Sequence, residues 1–373
     1  MSPQNRNTIM IGLSGGVDSA VAALRLLEAG HRVEALFMKN WDEDDGSEYC
    51  TAREDFEDAQ RVADTLGIVL HAANFAAEYW DAVFERFLAE YRAGRTPNPD
   101  VLCNREIKFN VFIDYAAQLG ASRIATGHYA RGLHRDGVFE LHRSADEMKD
   151  QTYFLCGVPS HQLAVCEFPL GELRKSEVRA AARRAGLHNY DRRDSTGICF
   201  IGERRFADFL RRWVAGEPGP ICTIDGRLIG EHHGLAHFTR GQRQGLGIGG
   251  VKGGREAPWY VVEKRIADNT LVVTQNEADL ASDHLLAGAF NWLGEPGAWP
   301  LHCLARIRHR SRLEPCVVTP SAGARFRVAF ERTQRAIAPG QYVCLYDGTR
   351  CLGGAVIEDY GVSDIPQRAK LSA

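Results

Sequence analysis

The sequence lacks an apolar run that approaches 18 residues, and its first eight residues are polar. A membrane-spanning helix needs about 20 apolar residues and a secretory leader needs an apolar segment, so we expect neither. The ten cysteines include no CxxC pair and no cysteine–histidine spacing of a zinc site. In a long chain that is not secreted, such cysteines are expected to be reduced thiols, most of them packing residues. The predicted location is therefore the cytoplasm.

The chain also lacks a large net charge, since its formal charge is only −3, which by itself argues against a nucleic-acid partner. The basic residues are nevertheless segregated, with a first concentration at residues 174–212 and a second at 301–335. The second contains only two acids and eight arginines: Arg306, Arg308, Arg310, Arg312, Arg325, Arg327, Arg332 and Arg335. Segregated basic stripes are typical of proteins that bind a polyanion. The alternative is a solvated strand face, which would carry more interspersed acids.

No internal repeat or low-complexity segment interrupts the 373 residues, a length that exceeds one hydrophobic core and predicts two or three domains. The first ~130 residues alternate between strand and helix patterns, which predicts an α/β fold with a doubly wound parallel sheet. We predict strands at 8–12, 32–38, 68–74 and 123–126, helices at 17–29, 51–66, 76–93 and 109–119, and a hairpin at 132–143. From residue 301, short alternating strands and turn signals predict a small antiparallel barrel or sandwich.

The most distinctive turn is Leu-Ser-Gly-Gly-Val-Asp-Ser at 13–19, between the first strand and the first helix. The first N–H groups of a helix have no partner within it, so this position favours an anion such as phosphate. Gly15 and Gly16 allow close approach of the backbone, and Ser14 and Ser19 add hydroxyl donors. The turn is not a Walker A loop, because no Gly-Lys-Ser/Thr follows it. The alternative interpretation is an ordinary strand–helix turn.

Two further stretches carry cysteines in basic surroundings. In residues 95–105 two prolines predict a rigid, non-helical and exposed loop that presents Asp100 and Cys103. Cys103 lies beside Arg105 and near Lys108, and positive neighbours favour a thiolate, although a single cysteine is more often a buried packing residue. In residues 194–206, Cys199 follows a glycine and precedes a predicted helix with two arginines, which also suits a nucleophile. Spacing alone does not pair the two cysteines.

Taken together, these stretches resemble the bacterial tRNA-specific 2-thiouridylases, which belong to the PP-loop superfamily of ATP pyrophosphatases. The resemblance extends in order over nearly the whole chain, through residues 13–19, 37–41, 95–109, 125–129, 149–151, 194–206, 241–243, 258–260 and 339–341. It implies a Rossmann-like PP-loop catalytic domain at 1–200, a small linking domain at 201–278 and a tRNA-binding β-barrel at 279–373.

The resemblance also implies residue roles. ATP would be held by Gly12, Leu13, Ser14, Gly15, Gly16, Val17, Asp18, Ser19, Met38 and Gly127. The target base would meet Asn98, Pro99 and Asp100, and the catalytic residues would be Asp100, Cys103 and Cys199. The tRNA would be touched by His128, Lys149, Asp150, Gln151, Arg308, His309 and Gln341.

The implied reaction is sulfur transfer to C2 of the wobble uridine. Uracil O2 is a poor leaving group, so its adenylation by ATP would let sulfur displace AMP. Cys199 would carry a persulfide delivered by a sulfur-relay protein, and Cys103 would take the inner sulfur, which leaves a Cys103–Cys199 disulfide. Mg²⁺ is expected with the phosphates, although no protein ligand is assigned. We expect the protein to act as a monomer.

Two departures from the family pattern and two rival functions stay open. His309 stands where the family usually has an aromatic residue, which weakens base stacking, and Gln244 stands where a lysine is common.

A small-molecule ligase of the argininosuccinate-synthetase type would need neither Cys103 nor Cys199, and it would have no use for the arginines of residues 301–335. A non-enzymatic RNA-binding or thiol-redox protein would release no pyrophosphate. The histidines at 232, 233 and 237 imitate a metal site, but no carboxylate or thiol at ligand spacing supports one.

Overall fold

The structure, a computed structural model, describes residues 8–42, 52–193, 206–248 and 257–361. Its strands, in chain order, are β1 (Thr8–Gly12), β2 (Arg32–Lys39), β3 (Leu70–Asn74), β4 (Arg123–Ala125), β5 (Ala130–Arg135), β6 (Val138–Arg143), β7 (Cys166–Glu167), β8 (Gly219–Thr223), β9 (Leu228–His232), β10 (Tyr260–Arg265), β11 (Thr270–Thr274), β12 (Ala281–Ala287), β13 (Asn291–Trp292), β14 (Leu301–Arg306), β15 (Glu314–Ser321), β16 (Arg325–Arg335), β17 (Tyr342–Asp347) and β18 (Arg350–Gly361).

The helices alternate with the strands in the first half of the chain. They are α1 (Val17–Glu28), α2 (Ala52–Leu66), α3 (Ala76–Tyr79), α4 (Glu85–Arg92), α5 (Pro99–Cys103), α6 (Phe112–Gln118), α7 (Thr152–Leu155), α8 (Ser160–Leu163), α9 (Lys175–Arg184) and α10 (Phe206–Trp213). Helical segments of π type cover Trp80–Phe84 and Asn104–Val111, and 3-10 turns cover Leu235–His237, Ile266–Asp268 and Glu277–Leu280. Among the described residues, no helix is both long and apolar enough to cross a membrane.

The first part of the chain forms a parallel sheet, which within the described ranges has five strands in the order β3-β2-β1-β4-β7. Alternate residues of a strand face opposite sides of the sheet, and both sides are covered here. Ile9 and Ile11 pack in one core with residues of α1, α2 and α9. Met10 packs in a second core with residues such as Phe109 and Phe112. The predicted doubly wound α/β fold is confirmed.

Helix α1 follows the glycine turn as predicted, and its buried face is wide. Residues 20–23 and Leu26 are buried, whereas Leu24 and Leu27 are only half-buried. The small alanines allow α1 to lie close to its neighbours in the core. Gly30, at a φ of +81°, ends the helix in the left-handed conformation that a glycine adopts without strain.

The prediction of a non-helical, exposed loop at 95–105 is wrong for the second half of that range. Pro99 opens helix α5, and the side chain of Asn98 caps it by accepting a hydrogen bond from the Val101 N–H at 3.3 Å. Proline is tolerated at the first helical position because the N–H that it lacks would have no partner there. Cys103, at the end of α5, is fully buried, and Asp100 is half-buried. The helix predicted to start near 109 therefore begins ten residues earlier, with a kink at Phe109.

The remaining strands form two further sheets. Strands β10-β11-β8-β9 make a small sheet in which β8 and β11 are parallel, with a core that includes Phe238 and Val261. Among the described residues, six strands in the order β12-β16-β15-β14-β17-β18 form an antiparallel barrel that the β12–β18 pairing closes. Its core contains residues such as Val318, Val328 and Leu345. The predicted C-terminal antiparallel barrel is confirmed.

One connection between the parts was not predicted. The hairpin β5–β6 leaves the parallel-sheet part of the chain and joins the barrel sheet, because β6 pairs with β18 at His142–Arg350 and Leu141–Cys351. The Arg143 N–H also donates to the Thr349 carbonyl at 2.8 Å. The hairpin that follows the parallel-sheet strands and the C-terminal barrel therefore share main-chain hydrogen bonds.

Candidate functional site

The glycine loop (Gly12–Ser19) connects the end of β1 to the start of α1. The Ser19 hydroxyl donates to the Gly16 carbonyl at 3.0 Å, and the Ser14 N–H donates to the Ser19 hydroxyl oxygen at 3.2 Å. Ser14 itself is exposed. The loop is therefore preformed around its own hydroxyl groups, at the helix N-terminus where an anion is favoured.

The backbone of Gly15 is fixed from outside the loop. Its carbonyl accepts hydrogen bonds from Asn189 Nδ2 at 2.8 Å and from Arg192 Nη1 at 3.2 Å. Arg192 is in turn held by Asp55 and Asp58 of α2, each at 2.5 Å. Gly15 has a φ of +77°, and a Cβ there would lie only 2.6 Å from the Asp55 carbonyl oxygen, so another residue would not fit.

Two other predicted nucleotide residues lie at the same edge of the sheet. A Cβ on Gly127, which follows β4, would lie 2.8 Å from the Ser19 nitrogen. The Met38 methyl, on β2, lies 3.2 Å from where a Cβ on Gly12 would be. The carboxyl ends of β1, β2 and β4 thus bring these residues together, as expected for ligand sites of parallel sheets.

Asp18 has a partner that sequence reasoning missed. Lys175, the first residue of α9, places its Nζ 2.8 Å from both carboxylate oxygens of Asp18. The Tyr129 hydroxyl donates to the same carboxylate at 2.8 Å. A lysine thus stands beside the glycine loop although none follows the loop in sequence. The basic concentration that begins at Arg174 was the available signal, but nothing in the spacing connects it to Asp18.

The carboxylates near this edge are engaged by cations or amides. Both oxygens of Asp18 contact Lys175, and Asp42 pairs with Lys39 at 2.6 Å and with Asn74 at 3.0 Å. The hydrogen bond from Lys39, followed by that from Asn74, lowers the pKa of Asp42. In the part of the chain that the structure describes, no group of three or more histidine, cysteine or acidic side chains could hold a metal ion.

The loop before α5 is held by both other parts of the molecule at what we call the junction (Thr96, Thr239, Gly340 and Gln341). The Gln341 amide donates to the carbonyls of Thr96 and Pro97 at 2.9 and 3.1 Å. The hydroxyls of Thr96 and Thr239 lie 3.2 Å apart. A Cβ on Gly340 would lie 2.9 Å from three backbone atoms of Thr96. The predicted target-base residues Asn98, Pro99 and Asp100 begin two positions after Thr96, which the junction holds in place.

The predicted catalytic cysteines have different outcomes. Cys103, at the end of α5, belongs to the same buried core as Val101 and Ile107. Cys199 lies outside the described residues, so its predicted closeness to Cys103 stays a prediction.

His128 and Gln151, two predicted tRNA contacts, face inward. His128 is buried, with its Nδ1 2.9 Å from the Thr126 hydroxyl. Burial, reinforced by the charge of Lys108, holds the pKa of His128 well below its usual value, so the ring is neutral at pH 7. Gln151 accepts a hydrogen bond from the Tyr129 N–H at 2.9 Å.

Two more predicted tRNA contacts, Asp150 and His309, join the parallel-sheet part to the barrel. The Asp150 carboxylate is completely buried and accepts a hydrogen bond from Arg306 at 3.0 Å. His309 Nε2 lies 2.9 Å from the Asp150 carbonyl oxygen, and its ring centre lies 4.3 Å from that of Phe154. Lys149, just before Asp150, is half-buried. Contact of these residues with tRNA stays a prediction.

Arg308 lies in a cluster of guanidinium groups beside the junction. It donates to the Ala336 carbonyl at 2.7 Å, and Ala336 is a buried non-glycine residue with a φ of +55°. Strained backbone of this kind concentrates at functional sites. Arg335 precedes Ala336, and the Arg240 guanidinium lies 4.1 Å from the ring centre of Tyr360.

The charges in this cluster repel one another. Arg308 is exposed, but its bond to Ala336 is partly buried, and partial burial of the guanidinium, followed by the charge of Arg335, lowers its pKa. Burial first, and then the charges of Arg308 and Arg335, lower the pKa of Arg240. Glu277, 3.1 Å from Arg335, is the acid that pairs with the cluster in the described ranges. Such a cluster favours an anion.

Three family models match the chain. They are described as the tRNA methyl transferase HUP domain over residues 7–203, the tRNA methyl transferase PRC-barrel domain over 207–275 and the aminomethyltransferase beta-barrel domain over 282–357.

Curated relatives match over nearly their whole length. The tRNA-specific 2-thiouridylase MnmA of Stutzerimonas stutzeri (strain A1501) is 55% identical over 361 residues, which are 96% of this chain and 96% of that protein. The protein of the same name from Pseudomonas aeruginosa (strain LESB58) is 56% identical over 356 residues, 95% of each chain. A solved 4-thiouridine synthetase–RNA complex with bound ATP is 16% identical over 56% of this chain and 50% of that chain, with a TM-score of 0.34, which is too loose a likeness to bear on function.

Proposed function

The chain belongs to the tRNA-specific 2-thiouridylase family, and from that premise we propose how its residues divide the work of ATP-dependent sulfur transfer to tRNA. The activity is that of a tRNA sulfurtransferase that replaces the C2 oxygen of the wobble uridine by sulfur. The observation that carries the proposal is the convergence of the glycine loop, Met38 and Gly127 at one edge of the sheet.

The first step is activation of the uridine oxygen by ATP. We propose that the amides of the glycine loop bind the phosphates, because bonds from Asn189 and Arg192 hold the Gly15 carbonyl in place. Lys175 supplies positive charge beside Asp18. Attack of the uridine O2 on the α-phosphate then releases pyrophosphate and leaves AMP on the base. Since Lys175 engages both Asp18 oxygens, Mg²⁺ would be held mainly by phosphate oxygens and water.

The second step is displacement of AMP by sulfur. We propose that Cys199 carries a persulfide supplied by a donor protein and that its outer sulfur reaches C2, while Cys103 takes the inner sulfur in a disulfide with Cys199. Asp100, which is half-buried in the first turn of α5, is the proposed acid or base. Because Cys103 is fully buried, the target base must open a path to it beside Asn98 and Pro99.

The third element is recognition of the tRNA. We propose that the anticodon arm lies over the junction and the arginine cluster, with Arg308 and Arg335 facing phosphates. The proposed tRNA contacts also include the residues His128, Lys149, Asp150, Gln151, His309 and Gln341. We further propose domains at 1–200, 201–278 and 279–373, and a cytoplasmic monomer.

Mass spectrometry of tRNA tests this function directly. The full-length chain is incubated with unmodified tRNA, ATP, Mg²⁺ and a persulfide donor, and the anticodon nucleosides are analysed for exchange of one oxygen for one sulfur. The Cys199→Ser and Cys103→Ser variants should each abolish the exchange, while ATP-dependent release of pyrophosphate continues in both. Unmodified tRNA with a folded, ATP-binding wild type would contradict the proposal, and so would full turnover in either variant.

A further inference from the structure

Besides the proposed catalytic cysteines Cys103 and Cys199, the chain has a pair of cysteines with neighbouring sulfur atoms in the barrel, away from the glycine loop. Cys303 of β14 is directly opposite Cys316 of β15 in the antiparallel register, and their Sγ atoms are 3.6 Å apart. Opposed residues of antiparallel strands have Cα atoms about 4.5 to 5.5 Å apart. This separation falls within the range of about 4.4 to 6.8 Å that disulfides require. A disulfide therefore fits between the two strands without a change of register.

The two thiols differ in access to solvent. Cys303 is half-buried, so a small reagent can reach it, whereas Cys316 is 3% exposed. The hydrogen bond between the two sulfurs, followed by burial, raises the pKa of Cys316. Cys303 is therefore the thiol that a small oxidant meets first, and Cys316 is in contact to resolve the product.

The Cys303–Cys316 pair flanks a segment that contacts other parts of the molecule. The two cysteines are 13 positions apart, and the segment between them carries Arg306 and Arg308. Arg306 binds the buried Asp150, and Arg308 binds the strained Ala336. A covalent bond between the cysteines would close the base of this arginine loop (residues 304–315).

We propose that Cys303 and Cys316 form an oxidative modification site that a peroxide converts to a disulfide at the base of the arginine loop. In the first step the Cys303 thiolate attacks a peroxide oxygen, the O–O bond breaks, and hydrogen peroxide leaves one water and a sulfenic acid. In the second step the Cys316 thiol displaces the sulfenic oxygen as a second water and forms the S–S bond. The two cysteines lose two electrons and two protons, and the peroxide is reduced to two waters.

A second close pair in the same barrel serves as an internal control. Cys344 and Cys351 have Sγ atoms 3.5 Å apart, but both are 1% exposed or less. Cys351 is opposite Tyr346 in the register, not opposite Cys344. The folded protein should therefore protect this pair from the same oxidant, although its sulfurs are just as close.

The experiment uses the full chain with Cys103→Ser and Cys199→Ser, so that the proposed catalytic thiols do not react. Treatment with hydrogen peroxide should lower the intact mass by two hydrogen atoms, and peptide mapping should find a Cys303–Cys316 cross-link that a phosphine reductant removes. Adding Cys303→Ser or Cys316→Ser should abolish the cross-link. Oxidation of Cys303 to sulfinic acid without a cross-link would overturn the proposal, and so would equal cross-linking of Cys344 and Cys351.

A second arm measures tRNA binding and rests on the proposed function. Closing the base of the arginine loop orders it before binding, which should lower the Kd for tRNA by about threefold, and only when both cysteines are present. A cross-link that leaves the Kd for tRNA unchanged would contradict the inference that the cross-link orders the arginine loop before binding. A cross-link in a protein that binds no tRNA, oxidised or reduced, would contradict the proposed function and leave the modification site standing.

Discussion

The glycine loop and the junction are both built on glycine residues, but they are assembled in different ways. The glycine loop has its basic geometry within eight consecutive residues, between a buried strand and a helix that begins at Val17. The junction brings Thr96, Thr239 and Gly340 together from three separate parts of the chain. The first can therefore be recognised from a short motif, whereas the second exists only after the parts have packed. Four predictions test this contrast.

The largest effect is expected at Lys175, where the glycine loop depends on a distant residue. Lys175→Met removes the cation beside Asp18 and should lower kcat/KM for ATP-dependent pyrophosphate release by about 100-fold or more. Arg184→Gln, an exposed change on the same helix, is the control and should stay near wild type. Activity of Lys175→Met within threefold of wild type would show that the loop works without this cation.

The junction should be sensitive to a single methyl group. In Gly340→Ala the Cβ meets the Thr96 backbone at 2.9 Å, and the residue also has a φ of +92°, so the free energy of unfolding should fall by about 3 kcal/mol. Gly348→Ala has a φ of +55° but no atom within 4 Å of the new Cβ, so we expect about 1 kcal/mol. Urea denaturation measures both, and equal losses would mean that close packing at Thr96 is unimportant.

A smaller effect is expected for one arginine of the cluster. Arg308→Gln should weaken tRNA binding by about tenfold and reduce the salt dependence of log K by about 1, because one phosphate contact is lost. Arg325→Gln is the control, since Arg325 pairs with Glu358 at 2.7 Å. Fluorescence anisotropy at several salt concentrations gives both quantities. An unchanged salt slope in Arg308→Gln would exclude a phosphate contact there.

The smallest effect concerns pH and His128. Its folded pKa is lowered, so below its unfolded pKa of about 6.5 the unfolded chain binds a proton that the folded chain does not. Stability should therefore fall as the pH drops, with His128 contributing about 0.8 kcal/mol of that loss at pH 6. Between pH 7.5 and 6, His128→Gln should lose this contribution to the pH dependence of the free energy of unfolding. The exposed change His134→Gln should keep it. Identical slopes in all three proteins would contradict a buried neutral ring.

Much of the fold follows from local patterns, and the exceptions have physical causes. Four of the five described strands of the parallel sheet and the helices between them were predictable because they have their own apolar spacing and because glycines end the helices, as at Gly30. Strand β7, with only two residues, was not predicted. The first turn of α5 was missed because Pro99 was taken as a helix breaker, whereas Asn98 makes it a helix start. Hydrogen-bond capping decided the outcome, and the two prolines alone did not reveal it.

The candidate site shows the same division. The glycine loop was found as a motif, and Gly127 and Met38 came from the resemblance, but Lys175 and Arg192 act on the loop from more than 150 positions away. Arg308 and Arg306 were visible as charge, but only tertiary packing shows that Ala336 and Asp150 hold them. Sequence patterns report which residues are present locally, whereas long-range partners depend on how the parts dock.

The hairpin β5–β6 has a mechanical consequence. Its outer strand, β6, continues the barrel sheet at Arg350 and Cys351, and the Asp150–Arg306 ion pair, which also joins the two parts, is buried. Separating the barrel from the parallel-sheet part would break the β6–β18 hydrogen bonds and leave the buried Asp150 carboxylate without Arg306, so we expect these two parts to move together when tRNA binds.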